Sequence, residues 1–333
     1  MFLSQTVALS DASSTAEARR AGVRMTASLG LNETKSAEAS IIITEAARNT
    51  LIYGGGGQLL LSGAKSNDEK QIDILVLDRG PGISDLSRAL EDGYSTGGTR
   101  GTGLGAIRRL ADVFDIFTNA KGTSVFARIL ESKTNAKSTV NLAGLRSPYP
   151  GEQVCGDNIA WDIQRERCTV MMVDGLGHGA HAAEAADEAV RIFQARSNEA
   201  PAEIISRLHD ALKKTRGAAA AVAEIRPLAG TLTYAGVGNI AGSILSNTLS
   251  RSLISHNGTL GHIMPRVQEF KVEWPRDGIL VMHSDGLQSR WDLSRYPGIL
   301  ARQPALIGGV LLRDFRRDRD DASVLVVKGA PAI

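Results

Sequence analysis

Apolar residues in the first half of the chain fall into a short series of helical and extended patterns. Ile43, Ala46, Ala47, Thr50 and Leu51 share one side of a helix expected over 32–53, which Asn32 can cap and the glycines at 54–57 can end. Continuous apolar runs predict strands at 58–62 and 71–77, the second ending at Asp78. A helix is expected from near Gly103 through Ile107 and Leu110, then strands at 115–119 and 123–130 around the Lys121-Gly122 turn. Residues 131–138, Glu-Ser-Lys-Thr-Asn-Ala-Lys-Ser, have no apolar periodicity. They predict a linker over 131–139 between domains at 1–130 and 140–333. Beyond it, strands are expected at 158–163, 168–173, 219–225, 231–235, 279–283 and 323–327, with alanine-rich helices at 180–196 and 201–215. No internal repeat is visible.

Length and composition agree with two cores. A chain of 333 residues exceeds one typical domain, and 43% hydrophobic with 22% charged residues describes a folded globular protein rather than a disordered one. No run approaches a membrane span, and residues 1–10 lack a basic region followed by an apolar core, so no membrane role and a cytoplasmic location are expected. A net charge of +2 gives no reason to expect nucleic acid as a partner. Two cysteines, Cys155 and Cys168, cannot build a zinc site and read as buried structural thiols in a reducing compartment.

Three segments of the first half carry candidate chemistry. Glu45 and Asn49 lie four apart, on one face of the expected helix, where a carboxylate and a carboxamide can share a magnesium ion and orient a hydroxyl or water. Asp78-Arg79-Gly80-Pro81-Gly82 follows a strand, where an acid can accept from an adenine amino group and the glycines admit the base. Gly101-Thr102-Gly103-Leu104-Gly105 opens a helix and suits phosphate oxygens. Singly, each is equally a polar helix position, a surface turn or a loop.

Their order, with Gly122-Thr123 before a strand, resembles the GHKL ATPase superfamily of gyrase, Hsp90 and histidine kinases. Thr44 to Asn49 and Tyr53-Gly54-Gly55-Gly56-Gly57 look most like the anti-sigma serine kinases of bacterial partner switching. That resemblance implies ATP and Mg2+, with Glu45 as general base, Asn49 as magnesium ligand and Asp78 on adenine. Gly80, Gly82, Gly101, Gly103 and Gly105 would surround the nucleotide, and residues 94–100 would form a mobile lid. No histidine lies upstream of Asn49, so a serine or threonine on a partner is the implied phosphoacceptor.

The second half repeats acids beside small residues at strand ends: Gly156-Asp157, Asp174-Gly175-Leu176-Gly177-His178-Gly179, Ser284-Asp285-Gly286 and Asp320-Asp321-Ala322-Ser323. Aspartate with glycine commonly marks a turn, yet four sets of hard oxygen ligands also suit two Mg2+ or Mn2+ ions that hydrolyse a phosphate without a protein nucleophile. The long run at Asp174, with Tyr234-Ala235-Gly236-Val237-Gly238-Asn239 between the acids, resembles the metal-dependent PPM phosphatases, specifically their SpoIIE-type branch. The resemblance implies that Asp174 bridges two metals, Gly175 offers its carbonyl, Asp285 and Asp320 hold one ion each or share one, and Asp157 acts through water. The arginine and glutamate motif of eukaryotic members is not visible, and Arg146 stands in a different context, leaving phosphate anchoring unassigned. His178 reads as a loop-shaping residue and Ser323 as a packing or capping one.

The fold expected is α+β: an N-terminal GHKL (Bergerat) α/β sandwich followed by a PPM-type α-β-β-α sandwich. The function implied is a phosphatase fused to a serine kinase-like domain, together reversibly phosphorylating a STAS-domain anti-sigma antagonist-like protein. The alternative keeps the phosphatase and makes the first domain a non-catalytic module that senses ATP and binds the partner. Pairing into a homodimer is the oligomer this resemblance raises.

Overall fold

The computed structural model describes residues 2–65, 69–91, 103–132, 138–264 and 266–329. The chain forms two compact units, one of Met1–Asn135 with Ala301–Arg313 and one of Ala136–Leu300 with Asp314–Ile333. Among the described residues no helix is long and apolar enough to cross a membrane.

In the first unit, β1 (Phe2–Leu9), β2 (Gly57–Lys65), β3 (Lys70–Asp78), β4 (Val113–Asn119) and β5 (Gly122–Leu130) form an antiparallel sheet of order β1-β2-β3-β5-β4. The helices are α1 (Ala12–Leu29), α2 (Glu33–Gly54), the single turn α3 (Leu86–Ala89) and α4 (Gly103–Leu110). Asn32 caps α2 as expected, accepting from the Lys35 N–H at 2.9 Å. Ile42, Ile43, Ala46 and Ala47 of α2 bury against Ile72, Ile74 and Val76 of β3, the alternate residues of one sheet face. α1 joins the same core through Ala18, Ala21, Met25 and Leu29.

Neither β1 nor α1 was among the expected elements. The segment Ala301–Arg313 likewise joins this unit from late in the sequence, and most of it lies in a helix, Pro304–Phe315. The boundary near 131–139 falls where β5 has ended at Leu130; residues 133–137 of that linker lie outside the described residues, as does the 94–100 lid.

The second unit contains β6 (Val140–Ser147), β7 (Asp157–Ile163), β8 (Cys168–Gly175), β9 (Ala218–Arg226), β10 (Thr231–Val237), β11 (Ala241–Leu245), β12 (Ser250–Leu253), β13 (Phe270–Glu273), β14 (Ile279–His283) and β15 (Ala322–Gly329). They make two five-stranded sheets of order β13-β10-β9-β8-β7 and β12-β11-β14-β15-β6. Helices α5 (Ala180–Arg196) and α6 (Pro201–Ala211) cover the first sheet, burying Met171, Val173, Ala220 and Val222 against Ala185, Ala189, Phe193, Ile204 and Leu208. The opposite face meets the second sheet: the Tyr234 ring lies against Gly242, and its hydroxyl is 2.9 Å from Ser255 Oγ. The late helix Pro304–Phe315 is α7. Strands β8 and β15 are buried along most of their length, which is why both read as unbroken apolar runs. The helix expected over 201–215 ends at Ala211 and tightens into a 3-10 turn at Leu212–Lys214.

Candidate active sites

The first site gathers where α2, β3 and α4 end or begin. Glu45 and Asn49 are half-buried on α2. A Cβ at Gly103, the first residue of α4, would stand 2.8 Å from Asn49 Nδ2, so the glycine run and the carboxamide are in direct contact. Asp78 closes β3, and its Oδ1 accepts from the Gly80 N–H at 2.9 Å and the Thr123 N–H at 3.0 Å. Those bonds leave Oδ2 without a partner among the described residues, the geometry an exocyclic amino donor requires. A Cβ at Gly54 would lie 2.6 Å from the Asp78 Cβ, and one at Gly80 would meet the Gly54 Cα at 2.8 Å. Bulk at either position would push the end of α2 away from the acid. Gly82 has φ +79° and sits against the Asn119 carbonyl, while Gly105 is buried in α4. Gly101 lies outside the described residues.

The second site forms where strands of both sheets end. In the register, Asp157 of β7 stands opposite Asp174 of β8. Gly175 lies so close to α5 that a Cβ there would be 2.1 Å from the Ala182 carbonyl oxygen. Asp285 follows β14 and accepts from Asn239 Nδ2 at 2.7 Å, and Asp320 precedes β15 and accepts from the Asp321 N–H at 3.0 Å. Asp157 is 1% exposed, and its Oδ2 accepts from the Ser284 hydroxyl at 2.6 Å; Ser284 Oγ in turn accepts from the Ser323 N–H at 3.0 Å. Ser323 takes part through its backbone N–H, and its side chain acts on Asp157 as well, opposing the rise of that carboxyl's pKa.

Burial is the largest influence on Asp174, Asp157 and Asp320. It pushes the Asp174 carboxyl well above the usual carboxylate range, and Asp157, Asp285, Asp320 and Asp321 push it further. Asp157 is raised by burial against the opposing Ser284 hydrogen bond, and Asp320 by burial and then by Asp285. Among the described residues no three His, Cys, Asp or Glu side chains close tightly enough to cage an ion, although Asp174 senses four other carboxylates. The electrostatic reading carries more weight for the donor set, because repelling carboxylates stand apart until a cation draws them together. Clustered oxygen donors of like charge, partly withdrawn from water, are the chemistry that hard divalent ions offset.

Four residues given no role by sequence complete the site. Asp321, 3% exposed, accepts from the Tyr149 and Gly156 N–H groups at 2.7 and 3.0 Å, tying the loop before β7 to the start of β15. Ser284 and Asn239 hold Asp157 and Asp285. His283 accepts from Trp291 Nε1 at 3.0 Å, so its proton sits on Nδ1 and is donated to the Ser284 carbonyl at 2.8 Å. Burial lowers its pKa and favours that neutral form. Arg146 is no phosphate anchor in this geometry: it donates to the Asp157 carbonyl at 3.0 Å from the protein interior. His178 is exposed, stacks on Tyr149 and lies 3.2 Å from Glu152, a loop contact. Cys168 is buried, but Cys155 only partly so, short of the burial expected for both.

Comparison with known proteins follows the same division. The family described as "Stage II sporulation protein E (SpoIIE)" matches residues 164–328, and "Histidine kinase-like ATPase domain" matches residues 8–129. The serine/threonine-protein kinase RsbT of Bacillus subtilis (strain 168) is 36% identical over 111 residues, 33% of this chain and 84% of that protein. The phosphoserine phosphatase RsbX of the same organism is 25% identical over 140 residues, 41% of this chain and 69% of that protein. A solved structure from work on "The bacterial stressosome: a modular system that has been adapted to control secondary messenger signaling" is 27% identical at a TM-score of 0.53, covering 58% of this chain and 100% of its own. The chain therefore belongs with the RsbT-like proteins through its histidine-kinase-like ATPase domain, which it joins to a PPM phosphatase domain of the SpoIIE type.

Proposed function

We propose that this protein runs both directions of one phosphorylation switch, its first domain phosphorylating a serine or threonine of a STAS-domain protein and its second removing that phosphate. The observation that carries the phosphatase assignment is Asp174, half-buried at the end of β8 opposite Asp157 and within electrostatic reach of Asp285 and Asp320. Asp174, the Gly175 carbonyl, Asp285 and Asp320 are the groups to hold two Mn2+ or Mg2+ ions, with Asp157 reaching them through water. When bound, such ions activate a water and neutralise the phosphoryl oxygens. The protein's own part is to fix the donors: Asn239 orients Asp285, Ser284 holds Asp157, and Asp321 pins the two loops together.

In the first domain, Asp78 Oδ2 would accept from the adenine amino group and Asn49, beside Gly103, would hold the Mg2+ of ATP. Glu45, one turn before Asn49, takes the proton of the attacking hydroxyl. Similarity to RsbT favours transfer over mere nucleotide sensing.

The test uses the full chain, labelled ATP and a STAS-domain protein. Asp174→Ala should make the phosphorylated partner accumulate, and Glu45→Ala should leave it unlabelled. If neither the wild type nor Asp174→Ala labels any such partner, the first domain is a binding module and the phosphatase stands alone.

A further inference from the structure

The two inner arginines of the phosphatase site are engaged within the fold. Arg146 donates to the Asp157 carbonyl, and Arg316 donates to Ser147 Oγ, the Pro148 carbonyl and the Asp320 carbonyl. Each supports a loop from within the fold.

Arg216 is placed differently. The β8–β9 register pairs Gly175 with Ala218, and the Leu176 N–H donates to the Gly217 carbonyl at 3.0 Å, which extends the pairing to Gly177 opposite Arg216. A Cβ at Gly177 would lie 3.4 Å from Arg216 Nη1, so the guanidinium rests against the run that begins with Asp174. The backbone beneath it is fixed from several sides. His262 Nε2 donates to the Arg216 carbonyl at 2.9 Å, the Gly217 N–H donates to Thr215 Oγ1 at 3.0 Å, and the Ala218 N–H donates to the Leu260 carbonyl at 3.2 Å. Gly217 holds φ +83°, with the Leu260 carbonyl and the His262 ring where a Cβ would stand. The side chain itself is exposed, and no carboxylate pairs with it among the described residues.

We infer that Arg216 binds the phosphate of the phosphoserine or phosphothreonine substrate. A planar guanidinium on a rigid turn presents two parallel donors to phosphate oxygens, and a cation without a carboxylate partner has no ion pair to break first.

This inference rests on the phosphatase reading above, and one set of measurements separates the two. With the full chain saturated in Mn2+, p-nitrophenyl phosphate hydrolysis gives KM and kcat, inorganic phosphate gives an inhibition constant, and calorimetry gives Mn2+ affinity. Arg216→Ala should raise both KM and the phosphate inhibition constant by about tenfold or more, with Mn2+ affinity within about twofold of wild type. Arg216→Lys should recover part of the loss. If Arg216→Ala fails to fold by circular dichroism, the phosphate inhibition constant of a folded Arg216→Lys decides instead: a raised value supports the inference and an unchanged one overturns it. Unchanged phosphate inhibition in Arg216→Ala, or a parallel fall in Mn2+ affinity, overturns the inference while wild-type hydrolysis keeps the phosphatase reading. A wild type that hydrolyses nothing with Mn2+ removes both.

Discussion

Asp174 sets the behaviour expected of the second site with pH. Its folded-state pKa is raised by burial and by four neighbouring carboxylates, so without metal the folded protein holds a proton that the unfolded chain releases above the ordinary aspartate range. In that window the folded state binds more protons, and stability falls as pH rises. The metal-free protein is therefore expected to melt at a lower temperature near about pH 7.5 than near about pH 5.5, and Mn2+ should raise the melting point more at the higher pH. Differential scanning calorimetry with and without Mn2+ reads both signs, and a Mn2+ shift that shrinks as pH rises contradicts the account. Asn239 acts at one remove: losing its 2.7 Å bond to Asp285 should weaken Mn2+ several-fold and change stability by no more than about 1 kcal/mol. The acids themselves were legible because each stands beside glycine or another acid at the end of an apolar strand. Asp321 was not, because its partners Gly156 and Tyr149 are 165 and 172 residues away and nothing local marks the clamp.

Elements were legible where local pattern and tertiary role agree. α2 announced itself by its cap, its apolar stripe and its closing glycines, and its ends fall within a residue of the expected ones. Asn32→Ala removes a side chain that accepts from Lys35 and donates to Glu131 at 3.1 Å. It should cost about 1 kcal/mol or somewhat more in chemical denaturation. α1 escaped notice because alanine, serine and arginine give it a weak stripe, although Asp11 and Gly30 cap its two ends in the ordinary manner. β6 and β11 to β13 are short or edge strands whose pairing is non-local, so the sequence around them carries little signal. α7 was obscured by Gly308 and Gly309, residues that argue against a helix interior. The fold explains one of them: a Cβ at Gly309 would stand 2.9 Å from Leu77 Cδ2 and 3.1 Å from Leu75 Cδ2. Gly309→Val should destabilise the first unit by about 1–3 kcal/mol through overpacking, offset slightly by better helix propensity.

At the scale of the molecule, the first unit is completed by a segment that follows almost all of the second in sequence. Arg302 Nη1 and the Gln303 N–H donate to Asp115 at 3.1 and 2.8 Å, and Arg79 donates to the Arg313 carbonyl, fixing both ends of 301–313. A fragment ending at Asn135 lacks that cover over Leu75 and Leu77 and should be less stable than the same unit in the full chain, measured as faster amide exchange along β3. The phosphatase and the proposed kinase are thus best tested in the intact protein, and the central claim is that Asp174 organises a metal-dependent protein phosphatase. The most direct measurement is Mn2+-dependent phosphate release from a phosphoserine peptide by the full chain and by Asp174→Ala, with ATP binding followed in parallel. The account predicts release by the wild type only with the metal, loss of release in the variant and equal ATP affinity in both; release by Asp174→Ala at the wild-type rate would contradict it.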